Sequence, residues 1–215
     1  MAVDKKKIII IGCGPGAPEY ITPAARAAAA GADVLIVSKR LQDLFPDLAA
    51  ERFDSGTDIE GTLKAIALYR DAGRQVVLLA TGDPGIFSLA QPVIRHFGRG
   101  NCEVIPGISS VQVAFARLGL SWHDARIISA HSVDPDLTAA ELAGAPKLAV
   151  LGGRPGALRW TAGLIPKLGA GRRVFLCEEL TLPGETIREL APGELTALPV
   201  STRAIILIIR EDQLP

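Results

Sequence analysis

Residues 8–18 read Ile-Ile-Ile-Ile-Gly-Cys-Gly-Pro-Gly-Ala-Pro, an apolar run broken by alternating glycines. Consecutive β-branched side chains fit a strand covered on both faces, as strands of a parallel sheet are. The glycines permit a tight turn and let other groups approach the main chain closely. A glycine loop at the carboxyl end of a first strand marks a place where α/β sheets bind ligands.

Similar apolar runs recur at 33–37, 75–80, 102–105, 125–129, 147–151, 173–177 and 203–210. Helical stretches are predicted between them at 24–30, 57–72, 84–97, 108–118 and 155–168. The first of these has Thr22 as N-cap, Pro23 at the first helical position and Gly31 as its stop. Alternating strands and helices define an α/β fold with largely parallel pairing. The run at 203–210 follows a turn-rich stretch, so an antiparallel hairpin is expected there. A helix ending at Gly119 before a new strand predicts two α/β domains, 1–119 and 120–215, with no flexible linker.

The 215 residues carry 23 Lys+Arg and 23 Asp+Glu, so the net charge is zero. That balance, with only 5% aromatic residues, argues against a nucleic-acid partner. Cys13, Cys102 and Cys177 are far apart and form no C-x-x-C pair, and no histidine pair has metal-ligand spacing. Buried free thiols, no metal site and a reducing cytoplasmic setting are the expectation. The run Ile8–Ile11 is too short for a leader or a membrane span.

The glycine loop resembles a dinucleotide fingerprint only in part. Pro15 removes an N–H from the cradle, the helix starts late, and no acidic residue ends the second strand. Ser38-Lys39-Arg40 stands there instead and keeps an NADP-dependent oxidoreductase as an alternative. Two further loops follow predicted strands. In Thr81-Gly82-Asp83-Pro84, Asp83 reads as the N-cap of a helix beginning at Pro84, or as the organiser of a ligand loop. In Pro106-Gly107-Ile108-Ser109-Ser110, either serine can cap the next helix or bond a ligand. No loop has the lysine of a triphosphate-binding motif.

These loops, in order, resemble the tetrapyrrole methylase family: Ile11–Thr22 its opening motif, Thr81–Phe87 its G-D-P segment, Pro106–Ser110 its P-G-I-[ST]-[SA] segment. Residues 109–122, Ser129-Ala130-His131 and 177–180 are similar to the branch that methylates C5 of a precorrin or cobalt-precorrin in cobalamin biosynthesis. The resemblance implies two α/β domains with S-adenosylmethionine in a cleft between them, a tetrapyrrole substrate and a homodimer. It places Pro15, Gly82, Asp83, Ile86, Ser109 and Ser110 around the cofactor. Leu151 packs on it, where relatives often have Met, and Gly12, Gly14 and Gly16 shape the loop. A chain of this length is expected to lack the second, decarboxylating domain of bifunctional relatives.

Methyl transfer from a sulfonium needs alignment and water exclusion more than a nucleophilic side chain. No catalytic residue is assigned. His131, at a predicted strand end, and Glu178 are the weak candidates for taking up a proton, with Glu179 and His123 behind them. His96 reads as a helix-end residue. Arg126, Arg154 and Arg159 are candidates for binding substrate carboxylates, while Arg172 and Arg173 read as solvated. Competing functions are another family member, such as a uroporphyrinogen-III methylase or a diphthine synthase, or a tetrapyrrole carrier without turnover.

Overall fold

Ile8 and Ile10 of strand β1 (Ile8–Gly12) belong to one apolar cluster and Ile11 to another, so both faces of the strand are covered. Burying each such side chain contributes about 1.5–3 kcal/mol. The computed structural model describes residues 6–199 and 201–215. The chain divides into two units, one ending at Ser109 and the other running from Ser110 to Pro215.

In the first unit, β2 (Val34–Val37), β3 (Glu51–Asp54), β4 (Val76–Ala80) and β5 (Cys102–Ile105) join β1 in one sheet. Its order is β3-β2-β4-β1-β5, and every pairing is parallel. Helix α1 (Pro23–Ala30) places Ala25 and Ala29 in the cluster with Ile11, Leu35 and Val77. It starts as the sequence predicts, with Thr22 Oγ1 accepting from the Ala25 N–H at 3.1 Å. Helices α2 (Ile59–Asp71) and α3 (Ala90–Phe97) supply Ile66 and Val93 to the cluster around Ile8 and Ile10. Strand β3 reads Glu-Arg-Phe-Asp and is largely exposed. It lies on the border of the sheet, where one side needs no apolar cover, so it has no apolar run in the sequence.

The second unit begins with α4 (Ser110–Arg117), which packs against β10 (Ala204–Arg210) of the same unit. The sequence places that helix before a division at Gly119; the division between the units falls ahead of it, at Ser109. Strands β6 (Ala125–Ser129), β7 (Lys147–Leu151), β8 (Arg172–Glu178) and β9 (Thr186–Leu190) complete a sheet ordered β6-β7-β10-β8-β9. Only β6 and β7 pair in parallel; β10 is antiparallel to both β7 and β8. The final strand is thus antiparallel, but central rather than the arm of a terminal hairpin. Its Ile-Ile-Leu-Ile-Ile core is buried throughout, which suits a middle position. Helices α5 (Ala139–Ala143) and α6 (Pro155–Leu164) cover one face through Leu142, Ala157, Leu158 and Leu164. A capping box between Thr138 and Glu141 starts α5, and this Thr-x-x-Glu signal could have revealed the helix in the sequence.

At the amino end of β7, buried Lys147 donates to Asp124 Oδ1 at 2.6 Å. The Lys147 hydrogen bond holds the Asp124 carboxyl below its ordinary value. A depressed carboxylate stabilises the fold above its unfolded pKa, and the gain disappears as pH falls through the folded pKa. Asp124→Asn should therefore melt below wild type at neutral pH, and the two curves should converge as pH falls below the ordinary aspartate range. Melting temperatures across that range check this; a constant offset would contradict it.

Candidate active site

Strands β4, β1 and β5 are neighbours, so parallel pairing sets the three glycine loops side by side at the carboxyl rim of the first sheet. There the main chains touch. A Cβ on Gly12 would lie 2.4 Å from Gly107 N and 2.7 Å from Gly82 O. A Cβ on Gly107 would lie 2.3 Å from Gly82 O and 2.7 Å from Gly12 Cα. Gly14 and Gly82 form an isolated bridge, the Gly82 N–H donating to Gly14 O at 2.8 Å and the Gly14 N–H to Gly82 O at 3.3 Å. Both have left-handed φ, 77° and 68°. The space beside Gly12 and Gly14, which the sequence leaves open for a ligand, is thus taken up by neighbouring main chain, or at Gly14 by Tyr20.

Asp83 ties this rim together and does not cap a helix. Its Oδ1 accepts from the Gly85 N–H at 2.7 Å, and its Oδ2 accepts from the Gly107 N–H at 3.0 Å. Residues 84–89 form turns, and α3 begins only at Ala90. Phe87, with φ 44°, breaks any continuous helix from Pro84. Pro15 and Ser109 are buried on the rim, while Ile86 and Ser110 are half-buried. Cys13 is buried, and burial pushes its thiol up to about 12, so it is no nucleophile. No helix starts directly at the first loop; a short turn, Pro18–Tyr20, precedes α1, which removes the helix N-terminus that a dinucleotide site requires.

The second unit has a comparable rim. Since β10 is antiparallel to β7 and β8, the carboxyl ends of β6, β7 and β8 lie together with the start of β10. Leu151 pairs in register with Ser129 and Ile205, and Gly152-Gly153 follow it. A Cβ on Gly153, whose φ is 101°, would lie 2.7 Å from Thr202 O. His131 is exposed just beyond β6, and its Nδ1 lies 2.6 Å from Ser129 Oγ.

Glu178 is not a solvated strand end. It is 9% exposed. Its Oε2 accepts from Arg188 Nη2 at 2.7 Å, and its Oε1 from the Ser201 N–H at 3.2 Å. Glu179 binds Arg203 and the Ser201 hydroxyl. Both carboxylates are therefore committed to holding the strands together. His123 lies before β6, at the opposite end of that strand from His131. His96 sits in the last turn of α3 as expected, against the Phe97 ring.

Of the arginines, Arg126 donates to Glu141 O at 2.7 Å, and Arg154 donates to Ala130 O and pairs with Asp134. Arg159 is exposed on α6. Arg172 is not solvated; it satisfies the carbonyls of Ala143 and Ala145 at the end of α5, a use of arginine with no spacing signal in the sequence. Arg173 pairs with Glu189 on β9. Among the described residues no group of His, Cys, Asp and Glu side chains could hold a metal ion, and no helix is long and apolar enough to cross a membrane.

One unit with a parallel sheet and joined glycine loops, and one with a mixed sheet, define an α/β protein. The profile of the tetrapyrrole (corrin/porphyrin) methylases matches residues 7–196, and the chain belongs to that family. This sets aside the oxidoreductase alternative. The chain is 33% identical to the cobalt-precorrin-7 C(5)-methyltransferase of Salmonella typhimurium over 88% of its own length and 93% of that protein's. Among solved structures, the cobalamin biosynthesis precorrin-6Y methylase of Archaeoglobus fulgidus matches with a TM-score of 0.73 and 27% identity, over 95% of this chain and 98% of that one. A uroporphyrin-III C-methyl transferase from Thermus thermophilus, solved with S-adenyl homocysteine, matches with a TM-score of 0.78 and 23% identity, over 94% and 92%.

Proposed function

We propose that this protein uses S-adenosylmethionine to methylate C5 of a precorrin or cobalt-precorrin in cobalamin biosynthesis. The 33% identity to the Salmonella enzyme, spread over 88% of the chain, carries the reading. The first rim fits such a donor. At Gly82, whose φ is 68°, an added Cβ would meet Ser109 Cα at 3.7 Å, an ordinary contact, so the second loop is less tightly closed than Gly12 or Gly107. Ile86 offers half-exposed apolar surface and Ser110 a half-exposed hydroxyl, next to buried Pro15 and Ser109. Gly12 and Gly14 act by letting the loops meet. In the second unit, Leu151 is the residue that the resemblance carries over.

When bound, S-adenosylmethionine supplies an activated methyl group on a cationic sulfur. The chain contributes position and exclusion of water, which a site without a nucleophile can supply. His131 remains the group best suited to take up a proton. With Nδ1–H donating to Ser129 Oγ, its Nε2 keeps a lone pair and has no partner among the described residues. We further propose a cytoplasmic homodimer with a small-molecule substrate and no nucleic-acid partner.

Labelled S-adenosylmethionine incubated with late precorrins, with and without cobalt, tests the reading, the new methyl being located by NMR. A methyl at C5 is the expected result. A methyl at another carbon, or transfer to uroporphyrinogen III or to a protein, would replace it with another member's activity, and binding without transfer would replace it with a carrier.

A further inference from the structure

Among the described residues, Phe87, Glu179 and Thr181 are the non-glycine residues with left-handed φ. Two have local reasons for it. Glu179 holds Arg203 and Ser201, and the Thr181 N–H donates to Glu185 Oε2 at 2.6 Å. Phe87 has no such reason. Its φ is 44°, its side chain carries no polar group, and it is 56% exposed. A large residue in this conformation is strained, and such strain persists where the surroundings enforce it. Here they do. Asp83 binds the Gly85 and Gly107 N–H groups, and Ser88 Oγ donates to Pro84 O at 2.6 Å and accepts from the Ala90 N–H at 3.1 Å. The fold thus maintains a strained backbone at Phe87, four residues along the loop from Asp83, and leaves its ring exposed.

We propose that Phe87 is a specificity-determining residue: its ring is the platform on which a conjugated face of the tetrapyrrole stacks. This rests on the tetrapyrrole reading above. A flat π-system gains from offset stacking on an exposed ring, and the ring loses no packing when it takes up that role. Restraint of the loop before binding reduces the ordering cost when the substrate arrives.

Two variants of the full chain test it. Phe87→Gly removes both ring and strain, so its Tm should rise by about 2–4 °C. Phe87→Leu keeps the backbone conformation and apolar bulk but has no ring face, and its Tm should stay near wild type. Both should raise KM for the precorrin roughly tenfold, with kcat changing far less and S-adenosylmethionine affinity unaltered. A KM within twofold of wild type in both variants would overturn the proposal. So would a change confined to Tm, or to oligomeric state by sedimentation. Absence of methyl transfer by wild type to any precorrin would instead overturn the functional reading, and this proposal with it.

Discussion

Gly12→Ala should abolish measurable S-adenosylmethionine binding and lower Tm by roughly 10 °C. The new Cβ would sit 2.4 Å from Gly107 N, 2.5 Å from Gly107 Cα and 2.7 Å from Gly82 O. All three are main-chain atoms, which cannot rotate aside as a long side chain can. Relief requires β1 to separate from the two neighbouring loops, breaking the bridge between Gly14 and Gly82. Overpacking inside a well-packed region costs about 1–3 kcal/mol, and displaced backbone on two strands places this case at or above the top of that range. Gly163→Ala is the control. Gly163 lies within α6, where an added Cβ meets nothing within 4 Å, so alanine should stabilise by about 0.5–1 kcal/mol. Calorimetric titration and melting of both variants decide the matter. A Gly12→Ala protein that melts and binds like wild type would show that the rim can yield.

Asp83→Ala should weaken S-adenosylmethionine binding by more than tenfold with a smaller loss of stability. The carboxylate accepts two main-chain N–H groups from different loops, Gly85 and Gly107. Hydrogen bonds to a charged acceptor contribute about 1.5–3 kcal/mol each. The rim is half-open, so water can replace part of that in the variant. What water cannot restore is the spacing between the second and third loops. Asp83→Asn sharpens the test, because one amide oxygen can still accept while its NH2 must face an N–H. Asparagine should therefore fall between wild type and alanine. Binding within twofold of wild type in the alanine variant would remove Asp83 from the site.

Much of the fold was legible in the sequence because buried parallel strands are continuously apolar. β1, β2, β4 and β7 lie close to the predicted runs. β3 and β9 escaped because strands at a sheet border carry polar residues on their open side, as Glu51, Arg52 and Asp54 do on β3. Of the two readings of Asp83, organiser of the loop agrees with its bonds to Gly85 and Gly107, and the helix cap fails for a different reason. Asp-Pro is a sound helix-start signal, but a helix also needs the next turn to remain right-handed, and Phe87 does not. Glycine spacing correctly marked the rim yet could not reveal that two of the glycines face other glycines. Contacts of that kind join residues distant in the chain, and no local pattern encodes them. The same holds for Glu178, whose partner Arg188 lies across the strand pair.

The position of β1 bears on how the chain is made. Among the described strands it is made first, yet its sheet partners are β4 and β5. Roughly 60 residues must be synthesised before β4 can pair with it, which takes about 3–12 s at ordinary elongation rates. Throughout that interval an Ile-Ile-Ile-Ile segment stands without a partner strand. Such apolar β-prone segments are those that self-associate when exposed. The arrangement that brings the three glycine loops together therefore keeps this apolar segment without its native strand partners until β4 has been made.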